Sequence, residues 1–420
     1  MSSLKPIETF PVRIPFTTCA HRDDVFALLF PELPESSVPV IQDTMPSPLE
    51  YGYRTKLTPH FDAPPEEHRG KKAEVKDGVV QKPEWLRIGF NAAGTKKSLD
   101  IEVSADNSGS GSELICFKEC PISTPTLNAA IPSMRENIFK CVSHRIDVHM
   151  STYDYWIRTI HRYRNGLSLT MRDSLLPGIE PVPPPETKDP IDALSTSLEQ
   201  HVCISDPKAT VRERVGEWLF EYNASSFFQT NNSVLKPLTD YVRDAIFPPD
   251  ISGISTSRSS PQPTHLVDAY CGAGLFSITL SPYFDQIAGI ELSRESIKAA
   301  QHNARLNNVP SSKITFREGD AADIFASVKA DFKPSKTVLI IDPPRKGCDE
   351  WFLQQVLDFR CGTIVYVSCN VHTQARDVGM LINRTKDDGE GRTYVLESLK
   401  GWDLFPQTAH VESVAVLRLV

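Results

Sequence analysis

The chain lacks any run of about 18 apolar residues, the length a helix needs to cross a bilayer, so no membrane span is expected. Its first residues, Met1 to Asp24, include Glu8, Asp23 and Asp24 and hold no long apolar stretch, which argues against a secretory signal. It also lacks a paired cysteine pattern. Nine cysteines, an odd number, are scattered through 420 residues, as befits reduced intracellular thiols and not a disulfide framework. Cys116 and Cys120 are the closest pair, and no second pair stands at metal-like spacing. Neither a zinc nor an iron–sulfur site is therefore expected, and the metal expectation is none. Basic excess is missing too. The formal net charge is −8, whereas a sequence-blind nucleic-acid binder usually carries a basic footprint. That leaves room for a local basic face only. No internal repeat is present. The scattered thiols fit an intracellular protein, expected in the cytoplasm or nucleus with the mitochondrion also open, and a monomer is expected.

What is there is ordinary for a soluble globular protein: 40% hydrophobic and 23% charged residues, in a chain long enough for two or three domains. Two stretches resist helix and sheet: Pro177 to Pro190, dense in proline, and Pro248 to Thr264, rich in Pro, Ser and Gly. They predict an N-terminal α+β domain over residues 1–180, linkers and a bridging helical segment over 181–264, and a C-terminal domain over 265–420 to which 227–247 contribute. In the C-terminal part, strand-like runs at 265–270, 287–291, 314–318, 337–342 and 362–368 alternate with helical candidates near 274–282, 293–307, 321–328, 349–358 and 373–383. Such alternation predicts a Rossmann-like, doubly wound α/β sheet. Tyr394 to Val420 holds strand-like runs without a helix between them and reads as an antiparallel addition to the sheet edge.

Three of these strands end in chemistry. His265 to Tyr270 runs into Cys271-Gly272-Ala273-Gly274, Leu339 to Ile341 ends at Asp342-Pro343-Pro344-Arg345-Lys346-Gly347, and Thr363 to Val367 stops at Ser368-Cys369-Asn370. Open α/β sheets bind ligands at that end of their strands, so the Gly-rich turn, the carboxylate and the thiol form one candidate active site. The turn lets backbone approach a ligand closely. A dinucleotide fingerprint needs a third glycine, and Ser277 stands there instead. Glu291, at the next strand tip, is placed to accept ribose hydroxyls. Asp320, at the third, either reaches an adenine amine or caps the following helix. A Gly-x-Gly turn with two acidic strand tips suits S-adenosylmethionine, which has no pyrophosphate to cradle.

The residues from about 200 to 420 closely resemble the S-adenosylmethionine-dependent RNA 5-methyluridine methyltransferases. The resemblance is carried by Phe227-Phe228-Gln229-Thr230-Asn231, Asp268-x-Tyr270-Cys271-Gly272-x-Gly274, Gly289-Ile290-Glu291, the Asp342 to Gly347 loop, Ser368-Cys369-Asn370 with Ala375-Arg376-Asp377, and Phe405-Pro406-x-Thr408-x-His410-Val411-Glu412. Within the family it is most like the fungal-type branch acting on uridine 54 of the tRNA T-loop. The resemblance implies a methyltransferase domain, a tRNA substrate, and S-adenosylmethionine as cofactor; the N-terminal α+β domain, read from its own strand-like pieces, is expected to bind the RNA, and the N-terminal β-barrel and cysteine cluster of many relatives are not expected here. It implies that Cys369 is the nucleophile, that Glu412 is the base, and that Gln229, Tyr270, Glu291 and Asp342 line the cofactor and uracil pocket. Leu275 stands where bacterial relatives often carry Asn.

That chemistry needs a thiolate to attack C6 of uracil, so that C5 becomes nucleophilic enough to take a methyl group, and a base to remove the C5 proton afterwards. Glu412 lies in the run His410 to Leu417 and, in period-two geometry, faces with His410, Val414 and Val416. Apolar neighbours raise a carboxyl's pKa. RNA contacts are expected from Tyr51-x-Tyr53-Arg54-x-Lys56 and from Tyr153 to Arg164, notably Arg158, Arg162 and Arg164, where aromatic and basic side chains interleave. Alternatives that remain are a ribosomal-RNA uridine, C5 of cytosine, or a tRNA-binding and folding module with weak catalysis. A Rossmann oxidoreductase is disfavoured by Ser277 and the Cys369 motif.

Overall fold

The structure is a computed structural model. It describes residues 39, 41–61, 75–76, 79–80, 82, 86–91, 98–100, 120–143, 167–168, 170–176, 199–248, 262–319, 328, 332–387, 389, 391–408 and 410–420. Both proline-rich stretches fall largely outside these residues. Tyr153 to Arg164, Cys116 and Asp320 lie outside them entirely, as does all of the helical candidate at 321–328 except Val328. The chain forms two compact units, one of residues 1–50, 214–222 and 226–420 and the other of 51–213 and 223–225.

The second unit is α+β in character. Its described strands form small sheets: Ser98–Asp100, Ile88–Asn91, His60–Phe61 and Leu167–Ser168 in one, and His201–Ile204, Met171–Leu175 and Lys56–Leu57 in another. The helix Pro125–Ser143 packs Leu127 and Ile131 against Leu57 and Met171. Of the expected RNA-contact segment, Tyr51 is exposed, but Tyr53 is buried in the core. Arg54 Nε donates to the Lys56 carbonyl at 3.0 Å.

The first unit is built on an eight-stranded sheet. Its strands are β1 (Gln42–Met45), β2 (His265–Ala269), β3 (Gln286–Glu291), β4 (Ile314–Glu318), β5 (Thr337–Ile341), β6 (Thr363–Ser368), β7 (Tyr394–Trp402) and β8 (Glu412–Leu419). They lie in the order β1-β7-β8-β6-β5-β2-β3-β4. Strands β2 to β6 are parallel to their neighbours among themselves. The helices between and before them are α1 (Asn232–Ile246), α2 (Leu275–Thr279), α3 (Arg294–Leu306), α4 (Glu350–Phe359) and α5 (Val371–Asp387). Strand order reverses between β2 and β5, which makes their C-terminal tips the ligand-binding crevice of a doubly wound sheet.

The strands read as near-continuous apolar runs because both faces are covered. Ala269, Leu339, Ile341, Ile364, Tyr366, Ala415 and Leu417 face Phe352, Leu353 and Val356 of α4 and Val378, Leu381 and Ile382 of α5. The alternate residues Leu266, Val338, Ile340, Val365, Val367, Val414 and Val416 are equally buried. The C-terminal strands are antiparallel, as expected, but β8 wedges between β6 and β7. The outermost strand is β1, which pairs in parallel with β7.

One close approach is set by composition. A Cβ at Gly289, in the middle of β3, would lie 2.4 Å from Cδ1 of Phe316 and 3.1 Å from the Cys271 sulfur. The Phe316 ring comes this close to the strand because the glycine leaves room for it. Gly289→Ala should therefore destabilise the protein by about 1–3 kcal/mol through overpacking. Urea unfolding followed by tryptophan fluorescence would show it, and an unshifted midpoint would contradict this packing.

Candidate active site

The crevice begins where β2 ends. Tyr270 adopts a left-handed backbone with φ of 62°, a conformation that costs a non-glycine residue about 1 kcal/mol or more and clusters at functional sites. Its ring centroid lies 5.6 Å from that of Phe352. Gly272 and Gly274 follow, at φ of 53° and 90°. A Cβ on Gly272 would meet nothing within 4 Å, whereas one on Gly274 would lie 3.1 Å from Ile278. The turn is thus packed on its inner side and open at Gly272.

It is held from behind by Asn303 of α3, fully buried, which donates to the Ala273 carbonyl at 3.1 Å and accepts the Glu221 N–H at 2.7 Å. Ser277, the residue that breaks the dinucleotide pattern, donates its N–H at 2.9 Å and its hydroxyl to the buried Asp268. Burial pushes the Asp268 carboxyl up to about 7, with the nearby Glu291 charge adding to the effect. Its Oδ1 is buried without a hydrogen-bond partner among the described residues. Glu291, half-buried at the tip of β3, accepts the Gly272 N–H at 3.3 Å and the Ser293 N–H at 2.8 Å, so it joins the glycine turn to the start of α3.

At the other side of the crevice, the Asp342 loop and the Cys369 turn are tied to one helix. Asn370 caps α5 by accepting the His372 N–H at 3.1 Å, and its amide donates to the Arg345 carbonyl at 2.9 Å. Arg376 donates to the carbonyls of Lys346 and Cys348 at 3.2 and 3.0 Å. Asp377, fully buried, accepts the Cys348 N–H at 2.8 Å and the Tyr366 hydroxyl at 2.6 Å. Gly347, at φ of 75°, threads between them, for a Cβ there would lie 2.7 Å from both Arg376 and Asp377.

Glu412 is the first residue of β8 and only 1% exposed. The register pairs Ser413 with Ser368, which brings Glu412 and Cys369 to adjacent strand ends. Burial raises the Cys369 thiol above its usual range, and the charges of Glu412 and Asp342 raise it further, while the positive charge of the Arg345 guanidinium pulls the other way. Burial drives Glu412 well up, with Asp342 adding and Arg345 opposing. Asp342 is raised by desolvation and then by the charges of Asp268 and Glu291. Cys369, Glu412 and Asp342 therefore act on one another electrostatically, with the exposed Arg345 at their rim, and Asp342 connects them to the glycine-turn end.

Tyr270 and Glu291 border that end. Gln229 is half-buried on the segment before α1, and among the described residues no hydrogen bond ties it to this group. His410 does not share a strand face with Glu412: β8 starts two residues later, and His410 is exposed, with its Nε2 3.5 Å from Arg345. Asp268, Asn303 and Arg345 are site residues that sequence reasoning left without a role. Arg345 directly follows the rigid Asp-Pro-Pro run, which was a usable signal; Asn303, a polar residue inside a helix, offered none.

The model of the tRNA (uracil-5-)-methyltransferase family matches residues 208–419, half of the chain. The chain belongs to this family. As a family member it is 37% identical over 391 residues to the tRNA (uracil(54)-C(5))-methyltransferase of Schizosaccharomyces pombe, covering 93% of this chain and 59% of that protein. It is 32% identical over 403 residues to the enzyme of the same description from Saccharomyces cerevisiae, covering 92% and 56%. The chain thus spans less than two thirds of the length of these curated relatives. Among solved structures, the fold is similar to that of Pyrococcus abyssi tRNA (uracil-54, C5)-methyltransferase in complex with S-adenosyl-L-homocysteine, with a TM-score of 0.55, 22% identity, and coverage of 98% of this chain and 88% of that one.

Arg345 opposes every charge that raises the Cys369 thiol. Arg345→Gln should shift the thiol's titration upward and slow its alkylation by iodoacetamide near neutral pH by about three- to tenfold. An unchanged rate–pH curve would mean that the guanidinium does not act on the sulfur.

Proposed function

We propose that this protein transfers a methyl group from S-adenosylmethionine to C5 of a uridine in tRNA, at T-loop position 54. The observation that carries this reading is the gathering of a strand-end thiol, a buried carboxyl and a second carboxyl, Cys369, Glu412 and Asp342, around one space. The activities of the two fungal relatives supply the substrate and the position.

The residues at the other end of the crevice fit the cofactor. The turn is open at Gly272, Glu291 is fixed beside it by two backbone N–H groups, and Asp268 keeps an unpartnered buried oxygen. Burial and neighbouring carboxylate charge raise Asp268 and Asp342, a setting in which a sulfonium cation is favourable. Glu291, Tyr270, Gln229 and Asp342 would hold it, and when bound it supplies an electrophilic methyl group.

The chain's own residues then act in order. The target uridine leaves the stack and enters the crevice. Cys369 sulfur bonds to C6, and the C5–C6 electron pair moves to C5 and O4 as an enolate, which makes C5 the nucleophile for the methyl group. Asp342, held by the two prolines behind it, meets the uracil edge. Glu412 takes the C5 proton, the C5–C6 double bond re-forms, and the Cys369 thiolate leaves. A carboxyl raised by burial is a stronger base once ionised, which suits a carbon acid.

The two catalytic substitutions separate the steps. Cys369→Ala should abolish both methylation and any denaturant-stable protein–RNA adduct. Glu412→Gln should permit attack and methyl transfer and then stall, so that the adduct accumulates on denaturing gels. Full activity of Cys369→Ala would overturn the mechanism, and an inactive Glu412→Gln without adduct would remove the base role.

A further inference from the structure

We infer that Gln374 is a positioning residue for Glu412, a role that rests on the proposed reaction and extends it. Gln374 lies on the first turn of α5, after the Cys369 turn, and is only 3% exposed. A polar side chain that deep must be hydrogen-bonded or it destabilises the fold. Its amide is fully used. Nε2 donates to the Tyr366 carbonyl of β6 at 2.7 Å and to the Ser413 carbonyl of β8 at 3.3 Å, and Oε1 accepts the Ser413 hydroxyl.

Each partner is close to the reacting groups. Tyr366 is on the strand that ends at Ser368 and delivers Cys369; Ser413 directly follows Glu412 and sits opposite Ser368 in the ladder. One side chain therefore clamps the ends of the two strands that bring thiol and base together. Two of its three bonds fall on Ser413, so it acts chiefly on the strand end carrying Glu412. Ladder bonds leave a terminal strand residue with one side free. The Gln374–Ser413 pair removes that freedom and fixes the backbone from which the Glu412 carboxyl projects. Proton removal from carbon is sensitive to such placement, since misplacement by about 1 Å can cost about a hundredfold.

The test uses the full chain and two RNAs. On tRNA made with 5-fluorouridine, the C5 fluorine cannot leave as a proton does, so thiol attack and methyl transfer end in a stable adduct without help from Glu412. On ordinary tRNA, turnover requires it. Gln374→Met keeps the volume and removes all three hydrogen bonds. It should form the fluorouridine adduct within about twofold of the wild-type rate, yet lose about ten- to a hundredfold in kcat on ordinary tRNA with little change in KM. Adduct on ordinary tRNA should rise at steady state. Ser413→Ala, which removes the hydroxyl bond alone, should show the same split in milder form and guards against a misfolded Gln374→Met. A parallel fall in both reactions in both variants would mean that Gln374 is only structural. Wild-type rates in both would mean that it does nothing for the base. If the wild-type protein itself forms no fluorouridine adduct and methylates no tRNA, the proposed reaction fails, a result distinct from either outcome with the variants.

Discussion

The Asp377 carboxylate, buried without exposure at the start of α5, is the contact on which the site depends. It takes the Cys348 N–H and the Tyr366 hydroxyl on one oxygen and Arg376 on the other. Hydrogen bonds to a charged group contribute about 1.5–3 kcal/mol each, and here they fasten the end of the Asp342 loop to the helix that leaves the Cys369 turn. Arg376 and Asn370 add bonds to the carbonyls of Lys346, Cys348 and Arg345. Two loops that are separate in sequence are thus tied to one helix, and Gly347 is the residue that lets them come so close. A rigid shell of this kind is what a reaction between a thiol, a carbon and a base requires, since small displacements cost large factors in rate.

Around that body the electrostatics are arranged to be unstable until something arrives. Asp268, Asp342 and Glu412 are all raised by burial first and then by neighbouring carboxylate charge, Glu291 on Asp268, Asp268 and Glu291 on Asp342, and Asp342 on Glu412, and Arg345 offsets the charges around Cys369 and Glu412. On the proposed reading, the incoming sulfonium relieves the glycine-turn end, while the uracil ring fills the space between thiol and base. Burial that makes Glu412 reluctant to ionise also makes it an effective acceptor for a carbon-bound proton.

Much of this was legible in the sequence, for physical reasons that differ by element. Strands buried on both faces are continuous apolar runs, so β2 to β6 could be read directly, with ends within a residue or so of those observed. Short elements escaped. Strand β1 has four residues and is not buried, so it carries no pattern. The hairpin of Thr210–Val215 and Trp218–Asn223 did alternate around Gly216-Glu217, with Gly216 at φ of 59°, and its turn was an available signal. In the site, the residues proposed to meet a ligand announce themselves at strand tips. Those that hold the tips in place do not. Ser277 read as a missing glycine, yet it is the partner of Asp268. Gln374 and Asn303 read as ordinary helix residues, because their partners are distant in sequence.

The central claim is that a covalent bond forms between Cys369 and the base during methyl transfer. The most direct measurement is mass spectrometry of peptides released from the complex trapped on 5-fluorouridine-containing tRNA. The account predicts that the peptide containing Cys369 carries the added mass of a methylated fluorouridine nucleotide. Methylated tRNA product without any protein–RNA bond, or an adduct on another cysteine such as Cys271, would contradict it.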